Sequence, residues 1–229
     1  MIIPLRAAHR TRSVPALTYA LMALNAGLFI YQSTLASDEL QRLIARHGLT
    51  PALLLEPGGA DVFLSPLTSM LLHGSWAHLI VNLWFLFIFG PNVEERIGRA
   101  RFVLMYLSAG LAAGAVGVLV DPQSEVPLLG ASGAVAGLLA CHVKLFSQAR
   151  VLSIVPVFFV FVQELPAVYF IALWFMLQLL GGFALLTGPA APGIAFFANI
   201  GGFVFGMWAA GWLRPARNRT AGFRKPEYY

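Results

Sequence analysis

Ser132 is the residue of this sequence whose type and surroundings best suit nucleophilic chemistry. It stands in Gly130-Ala131-Ser132-Gly133, at the start of an apolar run. A helix beginning at this serine would direct free backbone N–H groups and the positive end of its dipole toward the hydroxyl. Such groups can stabilise the oxyanion that forms when a hydroxyl attacks a carbonyl carbon. The pattern alone is weak evidence, because a serine in an apolar helix more often bonds its own backbone.

Two other polar residues, His78 and Asn199, are expected at the depth of this serine, and Asn82 follows His78 on the same helix. His78 and Asn82 are four residues apart and therefore share one helix face, and Asn199 stands in a later apolar run. His78, Asn199 and Ser132 each lie within roughly two turns of the outer end of a predicted span, or about 10 Å deep. Polar side chains inside spans are costly and generally functional. The sequence therefore predicts one polar site built from three helices.

Two glycine pairs could bring the serine and the asparagine together. Gly133 and Gly137 are four residues apart in one apolar run, and Gly202 and Gly206 have the same spacing in another. Pairs of small residues at this spacing allow two helix backbones to approach closely. We therefore expect the fourth and sixth spans to pack together, although such pairs most often serve packing alone.

Composition indicates that membrane-spanning helices must position these residues. Of 229 residues, 59% are hydrophobic and 11% are charged, against about 25% charged residues in a soluble domain. A span needs roughly 20 apolar residues. An amphipathic interfacial helix is predicted at 38–48, and a re-entrant or interfacial connection at 151–163. The six predicted spans are 16–35, 71–89, 102–120, 132–146, 166–186 and 194–213.

The distribution of basic residues predicts the orientation of the chain. Six spans leave both termini on one side, and that side receives every one of the 15 Lys and Arg residues except Arg42 and Arg46. Because basic residues accumulate in cytoplasmic loops, both termini are predicted to be cytoplasmic. The predicted organisation is a cytoplasmic segment at 1–15, a membrane domain at 16–213 and a basic cytoplasmic tail at 214–229. The expected location is the bacterial inner membrane.

The net charge of +5 is explained by this orientation, so no nucleic-acid partner is predicted. The basic tail can contact anionic membrane lipid.

From about residue 65 to residue 213, the chain resembles the rhomboid intramembrane serine proteases. The resemblance is carried by HGSWAHLIVNLWFLFIFG at 73–90, VEERIGRARF at 93–102, GASGAVAG at 130–137 and ANIGGFVFG at 198–206. It implies an all-α membrane protein, a six-transmembrane-helix bundle whose active-site cavity opens to the outside. It also implies cleavage of transmembrane protein substrates by a serine–histidine pair, without a metal or an organic cofactor.

The resemblance implies a role for each matched residue. Ser132 matches the nucleophile, while its backbone N–H and the side chains of His78 and Asn82 match the oxyanion hole. The remaining matches are structural: Gly130 and Gly133 beside the nucleophile, Gly137, Gly202 and Gly206 in the helix contact, and Glu94 and Arg96 at the inner end of the second span.

One position departs from the family pattern. Asn199 stands where the family has its general base, a histidine, and asparagine has no titratable acceptor near neutral pH. It could orient the Ser132 hydroxyl but could not take its proton. Among other histidines, His78 is already required as an oxyanion donor, and His142 lies nearly three turns deeper than Ser132. His73 is expected to be interfacial or to hold a loop.

Two function classes therefore stay open. The first is a rhomboid-type serine endopeptidase that is largely inactive as the chain stands. The second is a non-catalytic pseudoprotease that binds transmembrane segments as clients. An engineered inactive variant or an error in the sequence would equally put asparagine at this position. A channel or transporter is disfavoured, because the sequence has no inverted repeat and no chain of intramembrane carboxylates.

Overall fold

The computed structural model describes residues 3–7, 11–54, 60–156, 160–187 and 194–213, and these are mostly helical. The predicted tail at 214–229 lies outside the described residues. A short 3₁₀ turn, Ser69–Leu71, precedes α5. The strands are β1 Ile3–Ala7, β2 Arg150–Pro156 and β3 Val160–Pro166. The helices are α1 Ala16–Thr34, α2 Ser37–His47, α3 Pro51–Leu54, α4 Ala60–Thr68, α5 Trp76–Ile97, α6 Arg99–Val120, α7 Ser132–Leu145, α8 Ala167–Thr187 and α9 Ile194–Ala210.

Each predicted span overlaps a helix, and the largest difference is in the second, predicted at 71–89. The helix starts later because Ser75 is its N-cap, with its Oγ accepting the His78 N–H at 3.1 Å. It continues through Glu94 and ends at Gly98, where φ is 85°. A positive φ of this kind is readily adopted by glycine alone, so one residue separates α5 from α6.

Within the described residues, α5 and α6 are the two helices long and apolar enough to cross a membrane. Shorter apolar helices occur at Val62–Leu71, Ser132–Leu145, Ala167–Leu177 and Ala195–Ala210. Only α5 and α6, among the described helices, therefore meet the length and hydropathy that a complete crossing requires.

The core lies around α7. Residues 133–142 of this 14-residue helix are all buried. Its Leu138, Leu139 and Cys141 side chains have no exposed surface. A helix that is apolar on every face is stable only when neighbours surround it, and α5, α6 and α9 all pack against α7. The residue at the start of α7 is therefore held by the most enclosed element of the fold.

A three-stranded antiparallel sheet, in the order β1-β2-β3, lies beside the helices. The expectation of an all-α chain is wrong here, because Arg150–Pro156 and Val160–Pro166 pair as antiparallel strands and Ile3–Ala7 adds a third strand. Two physical reasons account for it. Pro156 disfavours a helix, and the valines of β2 and β3 favour strands. The Trp84 Nε1–H donates to the Pro4 carbonyl oxygen at 2.9 Å, which fastens the sheet to α5.

Candidate active site

Glycines bring α7 and α9 into backbone contact. A Cβ added to Gly202 would lie 3.2 Å from the Gly133 Cα and nearer still to the Gly133 carbonyl oxygen. A Cβ added to Gly206 would lie 2.6 Å from the Gly137 Cα. Both contacts advance by four residues on each helix, so α7 and α9 run in the same direction. Asn199, three residues before Gly202, therefore lies near the beginning of α7.

A small cavity lies at the beginning of α7. Its volume is about 40 Å³, and its lining includes Gly130, Ser132, Gly133 and Asn199. Ser132 is the half-buried first residue of α7, and the Asn199 residue is 7% exposed. One water needs roughly 10–15 Å³ of such volume, so the cavity accommodates water but not an extended peptide. The structure thus places the serine and the asparagine in the lining of one small cavity.

His78 approaches the start of α7 from α5. A Cβ added to Gly130 would lie 2.5 Å from the His78 Cε1 and 2.8 Å from its Nε2. Gly130 also has a φ of 112°, and its N–H donates to the Ser69 carbonyl oxygen at 2.9 Å. Close approach and positive φ both require glycine at this position. The imidazole therefore lies against the turn that precedes Ser132, although His78 is not part of the cavity lining.

Asn82 follows His78 by one helical turn and is buried, with 5% of its surface exposed. Among the described residues, its Nδ2 has no hydrogen-bond partner. An unpaired buried donor costs about 1–3 kcal/mol, so such groups are uncommon without a function. Asn82 does not line the cavity, yet it supplies an amide donor that is free to bind an oxygen atom.

Two further histidines, His142 and His73, are buried and do not line the cavity. His142 is 1% exposed, and its ring packs 4.9 Å from that of Phe89 and 5.0 Å from that of Phe146, measured between centroids. His73 is 2% exposed and precedes α5, with its ring 5.3 Å from that of His78. Within the described part of the chain, the cavity shared by Ser132 and Asn199 has no histidine in its lining.

Glu94 joins α5 to α1 at the end opposite the cavity. Its carboxylate accepts the Leu17 N–H at 3.1 Å, and the Thr18 N–H and hydroxyl at 2.8 Å each. These groups belong to the first turn of α1, where unpaired N–H groups and the helix dipole favour a carboxylate. The exposed Arg99 lies 3.8 Å away, and Arg96 is half-buried in the last turn of α5.

Two residues near the site were missed by sequence reasoning. Ser69 lines the cavity, and its carbonyl oxygen holds the Gly130 N–H. Gln32 hydrogen-bonds the backbone of His73. Ser69 belongs to no recognisable pattern. Gln32 carried a usable signal, because a polar side chain inside a predicted span requires a partner.

The family model described as Rhomboid domain matches residues 62–216, more than half of the chain. The chain belongs to the rhomboid family. Rhomboids are integral membrane proteins that act on transmembrane substrates, and the family comprises intramembrane proteases and related pseudoproteases.

Several curated rhomboids are similar to this one. Rhomboid-like protein 11, chloroplastic, of Arabidopsis thaliana is 47% identical over 76 residues, which are 33% of this chain and 27% of that protein. The putative rhomboid protease YdcA of Bacillus subtilis is 37% identical over 76 residues, 33% of this chain and 38% of that protein. The mitochondrial presenilin-associated rhomboid-like protein of Rattus norvegicus is 32% identical over 157 residues, 65% of this chain and 38% of that protein. The aligned parts therefore span less than two fifths of these relatives.

Proposed function

We propose that this rhomboid has the site of an intramembrane serine endopeptidase and is strongly impaired as the chain stands, because Asn199 occupies the general-base position. Its substrates are transmembrane proteins cut near the outer membrane face, and it needs no cofactor. The observation that carries the proposal is the cavity shared by Ser132 and Asn199. In this scheme Ser132 is the nucleophile, and its N–H, His78 and Asn82 stabilise the oxyanion.

The contacts around Ser132 support the stabilisation of negative charge. The start of α7 supplies backbone N–H groups. The His78 ring lies against Gly130, two residues before the serine, and the buried Asn82 Nδ2 has no hydrogen-bond partner within the described residues. Attack of the Ser132 oxygen on a substrate carbonyl forms one C–O bond and moves the carbonyl electron pair onto oxygen. Donors fixed in advance near that oxygen stabilise the charge without reorganising.

The step that this site cannot catalyse is removal of the proton from the attacking hydroxyl. The Asn199 amide can hold a hydrogen bond but is not basic, so the Ser132 proton has no acceptor near neutral pH. In a soluble serine protease, loss of the histidine lowers kcat by about 10⁶-fold. The oxyanion hole and substrate binding alone retain roughly 10³- to 10⁴-fold over water.

The proposed arrangement in the membrane follows the charge pattern. Six spans would form the bundle, with both termini cytoplasmic and the cavity toward the outer face, in the bacterial inner membrane. The described cavity has room for water but is smaller than an extended peptide, so we expect the surrounding helices to move when a substrate enters. The water needed to hydrolyse an acyl-enzyme fits the space that Ser132 already lines.

A non-catalytic pseudoprotease is the second candidate function, and Asn199 is the observation that favours it. Such a protein would bind transmembrane clients in the same place without cutting them. Restoring the base distinguishes the impaired endopeptidase from the pseudoprotease, because only a site that is otherwise complete would gain proteolytic activity.

The deciding experiment is Asn199→His, assayed in detergent and in proteoliposomes on a transmembrane substrate with small residues near its outer end. Cleavage is expected to rise by at least about 10³-fold over the unmodified chain. Asn199→Gln is the matched control that changes size without adding a base, and Ser132→Ala in the restored background must abolish cleavage. A folded Asn199→His variant that cleaves nothing would replace the protease with the pseudoprotease.

A further inference from the structure

Gln32 makes a paired hydrogen bond to the backbone just before α5. Its Nε2 donates to the His73 carbonyl oxygen at 3.2 Å, and its Oε1 accepts the His73 N–H at 3.1 Å. Gln32 is 3% exposed and His73 is 2% exposed. A buried amide that satisfies both groups of one residue fixes the position of that residue, since breaking the pair leaves buried polar groups unbonded. The outer end of α1 thus holds the backbone at residue 73.

The fixed segment leads directly to His78. The Phe29 ring, one helical turn before Gln32, meets the His73 ring edge-on at 6.3 Å and the Trp76 ring at 4.9 Å. The His73 ring in turn lies 5.3 Å from the His78 ring. These contacts form a continuous path from α1 to the imidazole that lies against Gly130.

We propose that Gln32 is a positioning residue that acts through His78. The two hydrogen bonds fix the 72–75 segment and the first turn of α5, and thereby the imidazole beside the turn before Ser132. This inference rests on the proposed function, since it takes His78 to be an oxyanion donor. Gln32 itself touches neither the cavity nor, in this scheme, the substrate.

The test variant is Gln32→Met, which keeps the length of the side chain and removes both hydrogen bonds. Asn25→Ala is the matched control. Asn25 lies on the same helix and is 1% exposed, but its Nδ2 donates to Leu21 of its own helix at 2.7 Å. Asn25→Ala therefore perturbs the interior of α1 without releasing the 72–75 segment. Gln32→Ala serves as a second test variant if the methionine disturbs packing.

The first measurement does not depend on catalysis. Each variant of the otherwise unmodified chain is treated with diethyl pyrocarbonate, and carbethoxylation of each histidine is followed by mass spectrometry. Gln32→Met should raise the rates at His73 and His78 by about tenfold, because losing the pair favours local opening. The rate at the buried His142 should stay unchanged in the same sample. Unchanged rates at His73 and His78 in both Gln32 variants would overturn the proposal.

The second measurement uses the Asn199→His background. Gln32→Met should lower kcat about tenfold with little change in KM. Removal of an oxyanion donor itself should lower kcat more, by about 10²–10³-fold. If Gln32 acts through His78, its effect should disappear once His78→Ala is present. A kcat equal to that of the Asn25→Ala control would overturn the positioning role. If Asn199→His itself is inactive, the protease proposal fails separately, and the histidine labelling still decides whether Gln32 fixes His78.

Discussion

Replacing Glu94 with glutamine tests how α1 is attached to the rest of the membrane domain. The carboxylate is 3% exposed and accepts three hydrogen bonds, from the Leu17 N–H and from the N–H and hydroxyl of Thr18. Glutamine keeps the size but replaces one acceptor oxygen with an NH₂ group, which then faces donors instead of accepting from them. At least one hydrogen bond to a charged acceptor is lost, which lowers the free energy of unfolding by about 1.5–3 kcal/mol.

The charge adds a further contribution to this loss. A carboxylate at a partly buried helix N-terminus is worth up to about 2 kcal/mol. The ion pair with Arg99 adds little, because the Arg99 side chain is 65% exposed. These contributions overlap, so we expect Glu94→Gln to lower the free energy of unfolding by about 2–4 kcal/mol.

The assay is reversible unfolding in mixed micelles as the fraction of denaturing detergent rises, followed by far-UV circular dichroism. Glu95→Gln is the matched control. Glu95 is half-buried and accepts the backbone N–H groups of Arg12 and Ser13 at 3.0 and 3.3 Å, ahead of α1. Glu95→Gln should lower the free energy of unfolding by less than about 1 kcal/mol. Equal losses from the two variants would refute the reasoning that Glu94 caps α1.

Two further predictions concern reactivity and orientation. A fluorophosphonate probe should label Ser132 at least about 10³-fold more slowly in the unmodified chain than in Asn199→His, because labelling requires removal of the serine proton; equal rates would reveal another base. A membrane-impermeant thiol reagent applied from outside should modify a cysteine introduced at the exposed Gln123 but not one at the exposed Gln148. The native Cys141 is buried and gives no background labelling. Labelling at position 148 but not at position 123 would contradict the proposed orientation.

The sequence predicted the six longer apolar helices and α2, because apolar and amphipathic runs of sufficient length rarely form anything else, but it did not predict the short helices α3 and α4. The start of α7 at Ser132 and the bounds of α1 follow closely from composition. The end of α5 does not, because Glu94, Glu95 and Arg96 look like a loop until the contacts with α1 are known. The two glutamates remain helical there because backbone N–H groups at and just before the start of α1 donate hydrogen bonds to their carboxylates.

The sheet and the positioning contacts were beyond sequence reasoning for a different reason. β1 pairs with residues far along the chain, such as Ile3 with Ile154, and no local pattern specifies a partner at that distance. The same holds for Gln32, whose polarity was visible while its partner, the His73 backbone, was not. The residues of the candidate site could be named from the sequence, but not the contacts that hold them.

The pairing of β1 with β2 also constrains the threading of the chain through the bilayer. Hydrogen-bonded strands of one small sheet must lie on the same side of the membrane, because an open sheet cannot span hydrocarbon. Every crossing moves the chain to the other side. Between Ala7 and Arg150, the ends of two paired strands, the number of crossings must therefore be even. This parity rule does not depend on the positions of lysine and arginine. It excludes any topology in which an odd number of the helices α1, α5, α6 and α7 crosses the membrane.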